Sequence, residues 1–260
     1  MTLFPIALGV AFLAFWMSTV HLGTSMMAFY DFVALAMVVG GTIAVAMVVL
    51  PWGERKEVVR ALKTLFVGAP DYRKQTLSNG LAFIQNRQSG TEWSNLPATT
   101  LANTLMNEGW ELLTLGIQKD KLERILHERV YQSGKRSRKL ANAVRSLAKY
   151  PPAFGLAGTV LGLMELMKGI SEGLNAKETG VQMAVALVAT FYGLMVSNLL
   201  VNPAGEALLK TAIAEEEAAD LAVQAIVLAS ESSSLLEAQE ILNSFVSDEQ
   251  KIDMIGSFSN

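Results

Sequence analysis

Val181 to Val201 reads VQMAVALVATFYGLMVSNLLV, 21 consecutive residues without a formal charge. Wound as a helix, a run of that length crosses the roughly 30 Å hydrocarbon layer of a membrane. Three other segments read the same way. Phe32 to Trp52 is uncharged for 21 residues and ends in Pro51-Trp52 beside Glu54-Arg55-Lys56, the pattern of a helix end at the headgroup level. Leu3 to Val20 is uncharged for 18 residues. A cleaved leader peptide competes for this segment, but it would want a basic start, and Met1-Thr2-Leu3 supplies none. Pro151 to Ile170 is apolar apart from Glu165 and Lys168.

Composition agrees. Only 17% of the 260 residues are charged and the mean hydropathy is +0.34, against about one quarter charged in an ordinary soluble chain. The first 52 residues hold one formal charge, Asp31, whereas Gly53 to Tyr150 hold 17 of the 21 Lys and Arg. A single soluble core does not sort its residues this way. The absence of cysteine removes disulfides, thiolate metal sites and cysteine nucleophiles. His21 and His127, isolated from one another, leave no catalytic triad or histidine-rich metal cluster to assemble. Ser133-Gly134-Lys135-Arg136 lacks the upstream glycine and the following Ser/Thr of a phosphate loop. Lys135, Arg136, Arg138, Lys139, Arg145 and Lys149 lead directly into a span, so they fit an anionic membrane surface better than a nucleic acid. These readings exclude an enzyme and predict no cofactor.

The positive-inside rule keeps the basic segment between spans two and three in the cytoplasm, with both termini on the same side. The turn near His21 to Asp31 and the loop Ser171 to Gly180 then face outward. The predicted fold class is an all-α integral membrane protein: a transmembrane hairpin (1–52), a cytoplasmic helical domain (53–150), two further membrane helices with a short loop (151–206), and a cytoplasmic helical tail (207–260). Within the central segment, Leu122, Ile125, Leu126 and Val130 form one apolar stripe with Lys121, Glu123 and Arg124 on the wet side. Leu101, Leu105, Leu112 and Leu115 suggest another helix, closed by Gly116. Ser89-Gly90 and Asn95-Leu96-Pro97 read as loops. Ser230 to Ser234 interrupts the tail helix, and Asp248 to Asn260 reads as frayed.

Spans three and four hold the candidate functional residues. Gly155, Gly158 and Gly162 on one, and Ala186, Thr190, Gly193 and Ser197 on the other, are narrow faces that let helices approach closely. Thr159 and Thr190 have two readings: each hydroxyl bonds back to its own i−4 carbonyl, or the two line a water-filled path and offer oxygen ligands to a hard cation. Glu165 is the only acid well inside a span. It is either a functional intramembrane carboxylate or a rim residue snorkelling outward beside Lys168 at i+3. Asp31 is either a helix cap or a vestibule charge that attracts ions.

Pro152-Ala153-Phe154-Gly155-Leu156-Ala157-Gly158-Thr159-Val160-Leu161-Gly162-Leu163 resembles the start of the third membrane helix in the flagellar stator A subunits, the MotA/PomA family. Met183 to Gly193, followed by Ser197-Asn198 and Pro203, resembles their fourth. Asp31 and Val38-Val39-Gly40-Gly41 resemble their second helix, closest to the sodium-driven PomA branch. The two motifs together are specific, while either alone also fits the wider ExbB/TolQ group. The resemblance implies a homo-oligomeric ring in the bacterial inner membrane. That ring surrounds a single-span MotB/PomB-like partner bearing an essential ion-binding aspartate and a peptidoglycan-binding domain. Ion flow at that interface would rotate the ring against the flagellar rotor switch protein. Carried over by position, Thr159 and Thr190 match ion-path threonines, and Pro152 and Pro203 match prolines that couple ion binding to movement. Arg87 matches the rotor-facing arginine.

Three departures from the family pattern bear on function. PomA-like sequences have two successive threonines where this chain has Ala189-Thr190, so the transported cation is sodium or a proton, with Thr159 tilting toward sodium. Glu165 replaces a small or apolar residue. The acidic partner expected after Arg87 falls among Ser94, Asn95 and Leu96, leaving Glu92 as the nearest acid. The alternative is an ExbB/TolQ-like energiser of an envelope-spanning partner, or a non-flagellar rotary stator.

Overall fold

A computed structural model describes residues 4–21, 23, 29–50, 53, 56, 58–59, 71–173, 175–231 and 234–253. The helices are α1 (Phe4–His21), α2 (Phe32–Val49), α3 (Tyr72–Ser89), α4 (Leu101–Thr114), α5 (Lys119–Leu147), α6 (Tyr150–Ser171), α7 (Ala176–Val196), α8 (Asn202–Ser230) and α9 (Leu235–Asn243), with a π-turn over Ser197–Val201 between α7 and α8. No strand occurs among the described residues. Four helical stretches are long and apolar enough to cross a membrane: Phe4–His21, Phe32–Val49, Lys119–Ser171 and Ala176–Ser230. The protein is an all-α integral membrane protein. The expected end of span two at Trp52 with Glu54-Arg55, most of the turn between His21 and Asp31, and the last residues of the tail lie outside the described residues.

The chain divides into two compact units, Met1–Ala69 with Lys139–Leu209 and Pro70–Arg138 with Lys210–Asn260. This redraws the expected boundaries: the tail is not a domain of its own. Its alanine-rich helix buries Ala218, Ala219, Leu221, Ala222, Val223, Ala225 and Ile226 in the same core as Leu77, Phe83, Ile84, Leu105, Met106, Leu122 and Leu126. The segment before residue 139 does not fill that core alone.

The first unit carries its apolar side chains outward, with Val48 86% and Val33 75% exposed. Small residues such as Gly155, Gly162 and Gly193 sit at the helix contacts instead. A hydrocarbon surround removes the drive to bury leucine and leaves close approach as the main source of helix cohesion. On α2 the buried positions are Ala34, Val38 and Thr42, and Gly41 faces the ring of Phe154 on α6. Asn175 and Glu178 form a capping box that starts α7 at Ala176. The loop expected over Ser171 to Gly180 is therefore shorter than the charge pattern suggested, because reciprocal capping satisfies the first free N–H groups.

The second unit is closed by local signals. Asp71 caps α3, Thr100 caps α4 and Ser234 caps α9. Gly90 and Gly116 take φ values of 69° and 73°, the left-handed conformation that ends helices. After α4, Ile117 N–H donates to the Leu112 carbonyl at 3.2 Å and Gly116 N–H to that of Leu113 at 3.1 Å, a Schellman closure. Leu115 sits at that cap and is 77% exposed, so it leaves the expected stripe. Ile125 does likewise at 36% exposure, since Leu122, Leu126 and Val130 drift one way round α5 and Ile125 falls on the opposite edge. Asp248–Gln250 forms a 3₁₀ turn rather than fraying. Beyond it, Asn243 clasps Ile252 by its N–H and carbonyl, both at 3.0 Å.

Candidate functional site

Helices α6 and α7 run side by side in a register set by their small residues. An added Cβ at Gly162 would meet Ala186 Cβ at 2.7 Å, at Gly158 it would meet Ala189 Cβ at 2.8 Å, and at Gly155 it would meet the Ala189 carbonyl oxygen at 2.7 Å. At Gly193 the neighbour is the Pro151 carbonyl oxygen. One turn further, buried Ser197 donates to the Ala148 carbonyl at 2.6 Å. The five residues named from the sequence for packing, Gly155, Gly158, Gly162, Gly193 and Ser197, thus line one seam.

Thr159 and Thr190 meet inside that seam. Their hydroxyls are hydrogen-bonded to each other. Thr159 Oγ1 also reaches its own i−4 carbonyl at Gly155 and, across the seam, the carbonyl of Ala186, both at 3.1 Å. Thr190 Oγ1 reaches the Gly155 carbonyl at 3.4 Å. Thr159 is back-bonded as expected, Thr190 is not, and each hydroxyl reaches a carbonyl of the opposite helix. Four oxygens, two hydroxyl and two carbonyl, converge at one half-buried place. Two hydroxyl protons and two helical N–H groups serve these four oxygens, each with two lone pairs, so the cluster has acceptor capacity to spare, which is what a hard cation or a relayed proton uses.

Asp31 is a helix cap. Its Oδ1 accepts from Val33 N–H at 2.9 Å and Ala34 N–H at 3.2 Å. Its own N–H donates at 3.2 Å to the Tyr192 hydroxyl, which in turn donates to the Phe29 carbonyl. Tyr192 lies roughly 24 Å of helix rise from the start of α7, so Asp31 sits along the flank of the bundle and not at the turn joining α6 and α7. Phe15, Phe29 and Phe191 cluster there, with Phe15 stacked on Phe191 at 4.9 Å and edge-on to Phe29 at 5.1 Å. Neither Tyr192 nor this cluster was visible as a site in the sequence; a tyrosine with one polar end, two residues past Thr190, was the available signal.

Glu165 is exposed and borders a groove of about 430 Å³ with Lys168, Glu172, Glu178 and Gln182, where Gln182 Oε1 is buried without a hydrogen-bond partner. The expected i+3 contact with Lys168 is replaced by an i+4 pair, Lys168 Nζ to Glu172 Oε1 at 3.9 Å. The structure does not bring Glu165 to the threonines, which lie further along the helices. Pro152 stands in the first turn of α6, and Pro203 follows the π-turn at the start of α8.

In the second unit, Arg87 ends α3 with its guanidinium 5.8 Å from the Trp110 ring centroid. It borders a groove of about 400 Å³ with Gln88, Gly116, Ile117 and Lys119. Glu92 is exposed on the following loop. That loop is pinned by Asn107, whose Oδ1 accepts from Leu96 N–H at 2.9 Å and Trp93 Nε1 at 3.1 Å while its Nδ2 donates to the Leu96 carbonyl at 2.8 Å. Asn107 and Trp110 went unnoticed in the sequence because their partners are fixed only by the fold.

Residues 97–220 match the MotA/TolQ/ExbB proton channel family. That match spans 124 of the 260 residues. The matched segment runs from α4 into α8 and takes in both threonines and both proline junctions. Among individual relatives, the chain is 26% identical over 195 residues to chemotaxis protein PomA of Vibrio alginolyticus, covering 75% of this chain and 76% of that one. The C. jejuni MotAB structure superposes with a TM-score of 0.84 at 18% identity, covering 98% of this chain and 100% of that one. The flagellar MotAB stator complex of Bacillus subtilis gives 0.75 at 20%, covering 98% of each. The fold is that of the MotAB chains in these two structures.

Proposed function

We propose that the protein is the ring-forming A-type subunit of a cation-driven rotary stator in the bacterial cytoplasmic membrane, with both termini in the cytoplasm. The observation that carries this reading is the Thr159–Thr190 oxygen cluster, seated between two membrane helices that offer no carboxylate beside it. Oxygens of this kind pass a cation on, but they do not supply the titrating charge. A MotB/PomB-like single-span partner fills that gap with its aspartate and anchors to peptidoglycan. Cation passage then works against the ring, and Arg87 and Glu92 present the cytoplasmic unit to the rotor switch protein. Sodium is the favoured ion over protons because Thr159 adds a second hydroxyl ligand.

Co-expression with the partner tests this. Thr159→Val and Thr190→Val each remove one ligand while keeping the shape, so rotation should fall about tenfold or more, in line with 1–3 kcal/mol for a lost buried polar contact. Full motility of both variants would overturn the assignment. Swimming in sodium-free medium separates the two ions. The second reading, a non-flagellar rotor or an ExbB/TolQ-like energiser, is favoured by one observation: Ser94, Asn95 and Leu96 occupy the place of the family's second rotor-facing charge. Restoration of swimming in a flagellated stator-deficient host would exclude it.

A further inference from the structure

Pro151 and Pro152 occupy the first turn of α6. Lacking an N–H, Pro152 cannot donate to the carbonyl four residues back, that of Ala148. Ala148 is only 8% exposed, so water does not take the missing place, and a buried carbonyl without a donor is strongly disfavoured. The Ser197 hydroxyl supplies the donor from the neighbouring helix at 2.6 Å, with Ser197 itself 4% exposed. Gly193, one turn before it, leaves the space in which the Pro151 carbonyl and the Pro152 Cα come to rest against the helix.

Ser197 has a second connection. Its carbonyl accepts from Asn202 N–H, an i→i+5 bond that closes the π-turn Ser197–Val201. The turn is wide because Pro203 follows: in an ordinary helical turn the ring would press on the carbonyl of Leu199, and one extra residue per turn relieves that contact. Ser197 therefore holds the proline junction of one helix with its side chain and the proline-adjacent turn of the next with its backbone.

We propose that Ser197 is a positioning residue, a latch that fastens the Pro151–Pro152 junction of α6 to the π-turn ahead of Pro203, so that displacement at one is passed to the other. A serine hydroxyl also has an acceptor on its own helix, here the Gly193 carbonyl four residues back. Turned back on Gly193, the hydroxyl would leave the Ala148 carbonyl without a donor, so the engaged position is favoured and release carries a cost that a motor subunit can bias. The role in rotation rests on the stator reading; the latch rests on Ala148, Pro152 and Ser197 alone.

A double-mutant cycle in the purified full-length protein separates the two. Ser197→Ala should lower the melting temperature by about 3–6 °C. In a Pro152→Ala background, where a backbone N–H takes over the Ala148 carbonyl, the same change should cost less than about 1 °C. Equal shifts in both backgrounds overturn the latch. Should Ser197→Ala fail to accumulate, the double variant accumulates because its carbonyl is satisfied again; failure of both overturns the proposal. In cells with the partner, Ser197→Ala should cut rotation several-fold and Ser197→Thr, which keeps the hydroxyl, should restore it. Full rotation of Ser197→Ala overturns the positioning role. A wild-type complex that neither conducts cations nor supports rotation defeats the stator reading instead, and the melting cycle then decides the latch by itself.

Discussion

Replacing Gly193 by alanine sets a methyl group where the backbone of α6 already lies. The new Cβ would stand 2.5 Å from the Pro151 carbonyl oxygen, 2.9 Å from Pro152 Cα and 3.1 Å from the Pro151 carbonyl carbon. Carbon atoms in good contact are about 3.5–4.0 Å apart, so the helices must part by roughly 1 Å. Every neighbour is main chain, so no rotamer yields. Overpacking of this kind costs about 1–3 kcal/mol, and loss of the Ser197 bond to Ala148 adds about 1 kcal/mol. Better helix propensity returns about 1 kcal/mol. The net is a loss of about 2 kcal/mol, or a melting temperature lower by about 4–8 °C for a chain of this size. Gly155→Ala meets the Ala189 carbonyl oxygen at 2.7 Å and should behave similarly, whereas Gly158→Ala meets a side-chain methyl and should cost less. Gly9→Ala has nothing within 4 Å and should be neutral or mildly stabilising. Intrinsic tryptophan fluorescence of the four detergent-solubilised variants during heating gives the order. A Gly193→Ala protein that melts at or above the wild-type temperature, or below which Gly9→Ala falls, would refute the close backbone contact.

Two further outcomes concern the second unit. Burial raises the Asp220 carboxyl above the ordinary aspartate range, His127 opposes the shift, and Glu216 and Glu217 push it further up. The native state then binds this proton more tightly than the unfolded chain does, so ionised Asp220 weakens the fold at neutral pH, and the penalty fades as pH falls through the raised pKa. Asp220→Asn should melt higher than wild type at neutral pH with a gain that shrinks under acidic conditions; a gain independent of pH would contradict the cause. Asn107→Ala removes three hydrogen bonds to Trp93 and Leu96, so amide exchange at Leu96 should quicken while the α3 and α4 amides stay protected. Unchanged exchange at Leu96 would show that the loop is held by other means.

The ion pairs of the second unit add little to this balance. Arg138 reaches Glu216 with Nε at 2.9 Å and Nη2 at 2.6 Å, and Arg73 pairs with Glu217, but these side chains are substantially exposed. Pairs of that kind contribute about 0–1 kcal/mol each. Cohesion comes from the buried core of Phe83, Leu105, Leu126 and Ile226 and from its caps.

The four spans, the all-α class and the basic segment between spans two and three follow from the sequence alone, because uncharged runs of about 20 residues match the hydrocarbon layer as helices and charge marks where each ends. The glycine and small-residue faces of α6 and α7 were legible for a related reason: small side chains at helical spacing state that something approaches closely, although not what. The partner was decided by the tertiary structure. Gly162 meets Ala186 and Gly193 meets Pro151 only because two helices far apart in the chain pack in one register. The same register joins Thr159 to Thr190 across 31 positions and Ser197 to Ala148 across 49. Tail and central segment share a core for a similar reason, since an apolar stripe shows that a helix is covered but carries no label for what covers it. Glu165 marks the limit from the other side: the sequence shows one acid in an apolar run but not its neighbours, and the fold sets it beside Lys168 and Glu172, away from the threonine pair. Helix existence is written in local periodicity, whereas which hydroxyl meets which carbonyl depends on a rigid-body fit between helices, and no single segment encodes it.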